Sequence, residues 1–133
     1  AYGVEVEPAA VTYGREVLKL RNLRCGILEE QGYANDFFDV ISLYDVIEHV
    51  SDLNRVVAEL RRILVPGGVI EIRTPNIGHW QTPHDLSSWK EVKPSEHLYY
   101  FGFSTLQRLF GNHGFRVVHN RWMLKPALDV YFH

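Results

Sequence analysis

The chain has 133 residues, of which 46% are hydrophobic, and a formal net charge of −2 at pH 7. This length is typical of one domain with a buried core, so we predict a single domain over residues 1–133. The charge argues against a nucleic-acid surface built on bulk positive charge, and no apolar stretch reaches the length of a membrane span. The single cysteine, Cys25, excludes an intrachain disulfide framework and favours a cytoplasmic location. We interpret its side chain as a small buried hydrophobe.

The beginning of the chain predicts a strand, a helix and a second strand. Residues 2–7 are predicted as a strand that ends at Pro8. Proline suits the first turn of a helix, and the apolar residues of 8–21 share one helical face. A short strand is then predicted around Cys25, within residues 23–28.

A complete βαβ crossover is predicted in the middle of the chain. A short apolar run at residues 40–43 is typical of a parallel strand buried on both faces. Apolar residues then recur at helical spacing, and a Pro-Gly-Gly turn at 66–68 is predicted before a second strand at 69–73. The acidic turn over residues 44–52 therefore lies at the carboxyl end of the first strand, where open α/β sheets bind ligands.

The remainder of the chain begins with a long connection over residues 76–103 that is rich in histidine and aromatic residues. Ordered connections of this length are usually lids or binding segments. A capping-box pattern that starts at Ser104 predicts a helix, and a strand follows it. Residues 121–133 predict one further strand, interrupted at Pro126. This alternation of strands and helices predicts an α/β fold with parallel pairing.

Acidic residues follow each of the first two strands. Glu5 ends the first strand, and doubly wound sheets use such an acid to bind ribose hydroxyls, although a solvated strand end is the favoured interpretation of this residue taken alone. Ile27-Leu28-Glu29 follows the second strand. Its apolar pair would enclose a purine ring, and the alternative is core followed by a turn. Both alternatives stay open for each position.

The pattern Asp45-x-x-Glu48-His49 is the third candidate. In a helical turn these side chains share one face, where they would bind a divalent cation or act as acid and base. Alternatively, the two acids cap the following helix and His49 packs against a cofactor. His97 lies beside an aromatic run and is a candidate general base, or else part of a lid that covers the pocket.

Taken together, these segments resemble the class I S-adenosylmethionine-dependent methyltransferases, especially the type 11 and type 23 methyltransferase domains. Residues 3–6 resemble the second strand of that family, 26–29 its adenine-contacting segment and 64–68 its Leu-x-Pro-Gly-Gly turn. Residues 38–50 resemble the fourth-strand motif, which lines the methionine part of the cofactor. The resemblance implies a set of residues that bind S-adenosylmethionine. They are Glu5, Val6, Ile27, Leu28, Glu29, Tyr44, Asp45 and His49.

The resemblance implies a Rossmann-like sheet with helices on both faces and the strand order 3-2-1-4-5-7-6. The Gly-x-Gly-x-Gly loop that ends the family's first strand is absent from this sequence, so we expect an N-terminally truncated domain whose first strand lies upstream of Ala1. Loss of that central strand leaves two unpaired sheet edges. We therefore predict a homo-oligomer, or an element supplied by another chain.

The function implied is transfer of a methyl group from S-adenosylmethionine to a small-molecule acceptor, most readily at oxygen, with His97 or His49 as the base. In some relatives that methylate quinone precursors or RNA 3′ ends, Glu-x-x-Glu-His binds metal. Asp45-x-x-Glu48-His49 is similar to it, and His97 would complete the set, so the metal is left unknown. The alternatives are a non-catalytic module for cofactor sensing or protein interaction, and an NAD-dependent dehydrogenase.

Overall fold

The computed structural model describes residues 1–120 and 127–133 and divides them into two compact units, Ala1–Ala34 and Asn35–His133. The predicted interruption at Pro126 lies outside the described residues. The single domain expected from the chain length stays a prediction. No helix in the described part of the chain combines the length and the apolar character that a membrane crossing needs.

The first unit contains two short parallel strands and one helix. They are β1 (Gly3–Glu5), α1 (Pro8–Glu16) and β2 (Leu23–Cys25), followed by a 3₁₀ turn at Leu28–Glu30. Pro8 occupies the first turn of α1, as predicted, and the Glu7 carboxylate accepts a hydrogen bond from the Ala9 N–H.

Two predictions for this unit are wrong. The helix ends at Glu16 rather than at residue 21, and the chain then passes through Lys19 at φ +57°, a left-handed conformation that stops a helix. Cys25 is exposed rather than buried. It ends a three-residue strand, which is too short to enclose its side chain between neighbours.

The second unit is built on a four-stranded sheet with the order β3-β4-β6-β5. Strands β3 and β4 are parallel, and β6 runs antiparallel to both β4 and β5. The elements in chain order are β3 (Phe38–Tyr44), a 3₁₀ turn (Ile47–His49), α2 (Leu53–Ile63), β4 (Leu64–Pro75), a 3₁₀ turn (Leu86–Ser88), α3 (Phe103–Gly111), β5 (Val117–Asn120) and β6 (Ala127–Phe132).

The strand orders agree with the predicted topology. The pair β2-β1 corresponds to strands 3-2 of the expected order, and β3-β4-β6-β5 corresponds to strands 4-5-7-6. None of the described residues forms a counterpart of strand 1. The α/β class predicted from the alternation of elements is confirmed.

One face of the second sheet forms the main core. Helix α2 begins at Asp52, whose carboxylate accepts a hydrogen bond from the Arg55 N–H, and it buries the apolar face predicted from its spacing. Phe110 of α3 is fully buried, with its ring stacked on Phe132 at a centroid distance of 4.4 Å. Phe115 packs against the same Phe110 ring at 5.5 Å.

The other face of the sheet carries a polar cluster centred on Glu71. Its carboxylate accepts hydrogen bonds from the hydroxyls of Tyr44 on β3 and Tyr131 on β6, and from Ser42 at 3.3 Å. These hydrogen bonds hold the pKa of Glu71 below its usual value, and the bond from Tyr131 has the largest effect. The bond to Glu71 also raises the pKa of the Tyr44 phenol.

The Pro-Gly-Gly segment is part of a strand rather than a separate turn. Helix α2 ends at Ile63 and β4 starts immediately with Leu64, which pairs with Phe38 before the register shifts. Gly67 has φ +81°, and a Cβ atom on Gly68 would lie 2.9 Å from the Asp39 carbonyl oxygen. The two glycines therefore permit an irregularity in a strand that lies against β3.

The start of α3 also differs from its prediction. The helix begins at Phe103 with Gly102 as its N-cap, and no side chain caps it. Ser104 lies inside the first turn, so the capping box predicted there is wrong.

Candidate functional site

A cluster of one acid and two histidines lies at the carboxyl end of β3. The strand stops at Tyr44 because Asp45 takes φ +51°, and the chain then forms the 3₁₀ turn Ile47–His49. Ile47 is fully buried, which fixes the turn against the core. The same turn buries Glu48, whose side chain is 1% exposed, and leaves His49 at the surface.

Main-chain hydrogen bonds bring His97 to this turn from the long connection. The Glu48 carbonyl oxygen accepts the N–H groups of Leu98 at 2.8 Å and Tyr99 at 3.2 Å. The His97 N–H donates to the Lys93 carbonyl at 2.8 Å, which closes a turn just before the histidine. As a result His97 is 7% exposed although it is 48 positions away from His49 along the chain.

The same connection is also attached to the end of β4. Asn76 and Phe101 form a parallel bridge, and the Ile77 N–H donates to the Phe101 carbonyl at 2.9 Å. The Thr82 hydroxyl donates to the Asn76 carbonyl at 2.8 Å. The segment that carries His97 is therefore held on two sides, by the 3₁₀ turn and by the strand end.

The three side chains converge closely. Glu48, His49 and His97 each offer one ligand atom, and these atoms lie within 4.8 Å of one another. The two imidazole rings are 4.8 Å apart and nearly perpendicular, at 79°. His49 Nδ1 is 2.7 Å from the Glu96 carbonyl oxygen. A carbonyl only accepts, so Nδ1 carries the proton and Nε2 of neutral His49 presents a lone pair.

Two atoms of the cluster are buried without a hydrogen-bond partner among the described residues. They are Glu48 Oε1 and His97 Nδ1. Buried polar atoms are normally paired, and each exception calls for a physical explanation. Divalent metals accept carboxylate oxygens and imidazole nitrogens, so a bound cation is one physical explanation for these two atoms.

Asp45 does not belong to this cluster. It is exposed, with the left-handed backbone described above, and its N–H donates to the Arg73 carbonyl at 2.9 Å. The helical face predicted for Asp45, Glu48 and His49 is wrong because the turn starts only at Ile47. Tyr44, another predicted cofactor contact, directs its hydroxyl to Glu71.

Sequence reasoning missed Thr74, whose hydroxyl donates to Glu48 Oε2 at 2.9 Å. Threonine is common in strands for its shape alone, so no local signal separates it from an ordinary strand residue. Only the fold reveals its partner, 26 positions earlier in the chain.

The remaining predicted cofactor residues lie in the first unit, after its two strands. Glu5 pairs in register with Cys25, so the segments that follow them leave the same edge of this small sheet. Val6 and Ile27 are 63% and 39% exposed, as single apolar residues at a protein surface often are. Glu5 Oε1 accepts the Glu7 N–H at 2.9 Å, and Leu28 and Glu29 lie in the 3₁₀ turn. Their roles stay predictions.

Comparison with known proteins identifies the class. The family of methyltransferase domains matches residues 4–120. A protein of Mycolicibacterium smegmatis named as a probable S-adenosylmethionine-dependent methyltransferase is 35% identical over 74 residues, covering 56% of this chain and 29% of that protein. The ubiquinone biosynthesis O-methyltransferase of Rhodopseudomonas palustris is 26% identical over 128 residues, covering 82% of this chain and 49% of that enzyme.

A solved structure shows the same fold. An S-adenosylmethionine-dependent methyltransferase from Bacteroides fragilis, in complex with S-adenosyl-L-homocysteine, matches with a TM-score of 0.74 at 15% identity, covering 99% of this chain and 62% of that one. This confirms the Rossmann-like class predicted from the resemblance.

This chain belongs to the methyltransferase domain family, and its match covers most of the described residues. Membership of the methyltransferase domain family agrees with the class predicted from the resemblance and decides against the dehydrogenase alternative. The relatives named above are themselves named for S-adenosylmethionine. The chain spans less than half the length of either curated relative.

Proposed function

We propose that the protein transfers a methyl group from S-adenosylmethionine to a hydroxyl oxygen of a small molecule. The observation that carries this proposal is the pair His49 and His97, whose rings lie 4.8 Å apart. A hydroxyl is a weak nucleophile that benefits from a base, whereas an amine that is already neutral attacks without one. The similarity to a ubiquinone biosynthesis O-methyltransferase supports an oxygen acceptor.

In this reaction the acceptor oxygen attacks the methyl carbon in line with the C–S bond. That bond breaks, the sulfonium becomes a neutral thioether, and the hydroxyl proton passes to an imidazole. His49 is suited to receive the proton because it is exposed and Nε2 is its unprotonated nitrogen. His97 is buried beside it, with its ring 5.9 Å from that of Tyr100, and we assign both residues to the acceptor side. Orientation of the two reactants supplies much of the rate enhancement.

The cofactor contacts follow the assignment made from the sequence. We propose that Glu5 binds the ribose hydroxyls, and that Val6 with Ile27, Leu28 and Glu29 contacts the adenine. Tyr44, Asp45 and His49 are proposed for the methionine portion. Val6 and Ile27 are exposed, so both are accessible to an aromatic base.

Replacing Glu5 by alanine is expected to weaken binding of S-adenosylmethionine by about 100-fold or more. The carboxylate would lose charge-assisted hydrogen bonds to two ribose hydroxyls, and one such bond contributes about 1.5–3 kcal/mol. Isothermal titration calorimetry of the intact protein with S-adenosylmethionine and S-adenosylhomocysteine measures this.

The matched control is Glu30→Ala, which removes an exposed acid of the neighbouring 3₁₀ turn that has no proposed contact. This variant should bind like the wild type. Equal affinity of Glu5→Ala and wild type would contradict the ribose assignment. If the intact wild-type protein bound no cofactor, the proposed methyl-transfer activity would be contradicted. Binding without turnover of any hydroxylated acceptor would favour the alternative, a module for cofactor sensing or protein interaction.

A second proposal, an alternative to His49 as a free base, is that Glu48, His49 and His97 hold a divalent cation, since the single free nitrogen of His49 cannot ligate a cation and accept a proton at once. It is supported by their ligand atoms, within 4.8 Å of one another, and by the two buried atoms without a partner. When bound, such a cation would supply Lewis-acid chemistry that makes an acceptor hydroxyl more acidic. The chain's own part is to hold three ligands at fixed positions and to keep His49 in one tautomer.

The intact protein is expected to bind about one Zn²⁺ per chain, and Glu48→Gln should lose this site because a neutral amide is a poor ligand. Equilibrium dialysis with metal analysis measures the stoichiometry. Asp45→Asn is the matched control, since Asp45 is a nearby acid outside the cluster. A loss in the control equal to that in Glu48→Gln would restore Asp45 to the ligand set.

Association through unpaired sheet edges and a cytoplasmic location remain proposals. Strand β3 pairs with β4 on one side, and no described residue pairs with its other side. Such an edge favours addition of a strand, whether from this protein or from another copy.

A further inference from the structure

Thr74 connects the sheet to the acidic member of the cluster. It lies near the end of β4, it is completely buried, and its hydroxyl donates to Glu48 Oε2 at 2.9 Å. Neither the sequence patterns nor the proposed ligand set includes this residue. Its hydroxyl is nevertheless in direct contact with the carboxylate of Glu48.

The hydrogen bond from Thr74 makes the two carboxylate oxygens of Glu48 inequivalent. Oε2 is used by the Thr74 hydroxyl, whereas Oε1 is buried and has no partner among the described residues. A carboxylate held by one neutral donor is limited in its rotation, and its second oxygen then has one preferred direction. With two imidazoles nearby, the cluster offers one available carboxylate oxygen and two nitrogens.

We propose that Thr74 is a positioning residue that fixes Glu48 as a one-oxygen ligand and thereby sets which metals the cluster accepts. This inference rests on the proposed cation site. One oxygen and two imidazole nitrogens suit Zn²⁺ and similar transition-metal ions, whereas Mg²⁺ prefers oxygen ligands only. The site is thus assigned to a transition-metal ion.

A purely structural role for Thr74 leads to a different expectation. A buried hydroxyl needs a hydrogen-bond partner wherever it lies, and Glu48 would then serve Thr74 rather than the reverse. Removing the hydroxyl would then change the stability of the metal-free protein and leave the metal affinity unaltered. Metal affinity therefore separates the two roles.

The test compares Thr74→Val, which keeps the shape and removes the hydroxyl, with Thr74→Ser, which keeps the hydroxyl. Zn²⁺ and Mg²⁺ are titrated into the intact protein by calorimetry, and thermal melting is recorded with and without Zn²⁺. Thr74→Val should bind Zn²⁺ about 10- to 100-fold more weakly, as is usual when a group that orients a ligand is lost. Thr74→Ser should retain the wild-type affinity, and its melting temperature should rise with Zn²⁺ as the wild type's does.

Three results would overturn the inference. Wild-type Zn²⁺ affinity in Thr74→Val, with that affinity lost in Glu48→Gln, would leave the cation site in place and reduce Thr74 to packing. If Thr74→Ser bound Zn²⁺ as weakly as Thr74→Val, the hydroxyl would not be the group that positions Glu48. Zn²⁺ uptake that is unchanged in Glu48→Gln would instead remove the cation site itself, and this inference with it.

Discussion

Replacing His49 and His97 together by alanine is expected to lower kcat by about 10²- to 10⁴-fold at saturating S-adenosylmethionine, the range that general-base catalysis supplies. The two imidazole rings lie 4.8 Å apart in the cluster, so either one could accept the hydroxyl proton. The double variant removes both. Saturating cofactor separates this loss from any weaker binding, since His49 is also a proposed cofactor contact. The measurement is a methyl-transfer assay with a panel of phenols and catechols on the intact protein.

The matched control is His84→Ala. His84 is an exposed histidine of the same long connection and does not belong to the cluster. It should retain wild-type kcat on every acceptor. Turnover by the double variant equal to that of the control would remove both histidines from the chemistry and would leave an acceptor that needs no base, such as an amine.

Phe110→Ala is expected to destabilise the second unit by about 3–5 kcal/mol. The Phe110 ring is fully buried, stacks on Phe132 at 4.4 Å and contacts Phe115, so its removal leaves a cavity between α3 and the sheet. A loss of this size is a large part of the stability of an ordinary domain, about 5–15 kcal/mol. Urea unfolding followed by circular dichroism should show a lower midpoint.

Phe37→Ala serves as the control, because the Phe37 side chain is 42% exposed. Its removal leaves no enclosed cavity, so the expected cost is about 1 kcal/mol or less. Similar midpoints for the two variants would mean that the stack between Phe110 and Phe132 contributes little to the core.

Much of the second unit could be predicted from the sequence because its signals are local. Helix α2 has apolar residues at helical spacing, and the structure confirms the buried face that they predicted, although its N-cap is Asp52 rather than Asp45 or Glu48. The predictions failed where a tertiary contact decides the geometry. The Pro-Gly-Gly segment continues a strand because β3 pairs beside it, and α3 starts before Ser104.

In the candidate site, too, local features could be predicted from the sequence and features set by tertiary contacts could not. The short spacing of Glu48 and His49 predicted that they act together, and the structure places them in one turn. The approach of His97 depends on main-chain hydrogen bonds over a long separation, which no local pattern encodes. Asp45 was misplaced because a single left-handed residue delays the start of the turn.

Glu48 contributes two separate groups, and this matters to anyone who redesigns the protein. Its carbonyl oxygen holds the segment after His97, while its carboxylate faces the cluster. Any L-residue supplies the carbonyl, so Glu48→Gln, which keeps the size of this buried side chain, removes the charge of the carboxylate and leaves both main-chain hydrogen bonds in place. The chemistry of the cluster and the attachment of the long connection can therefore be altered separately at one residue.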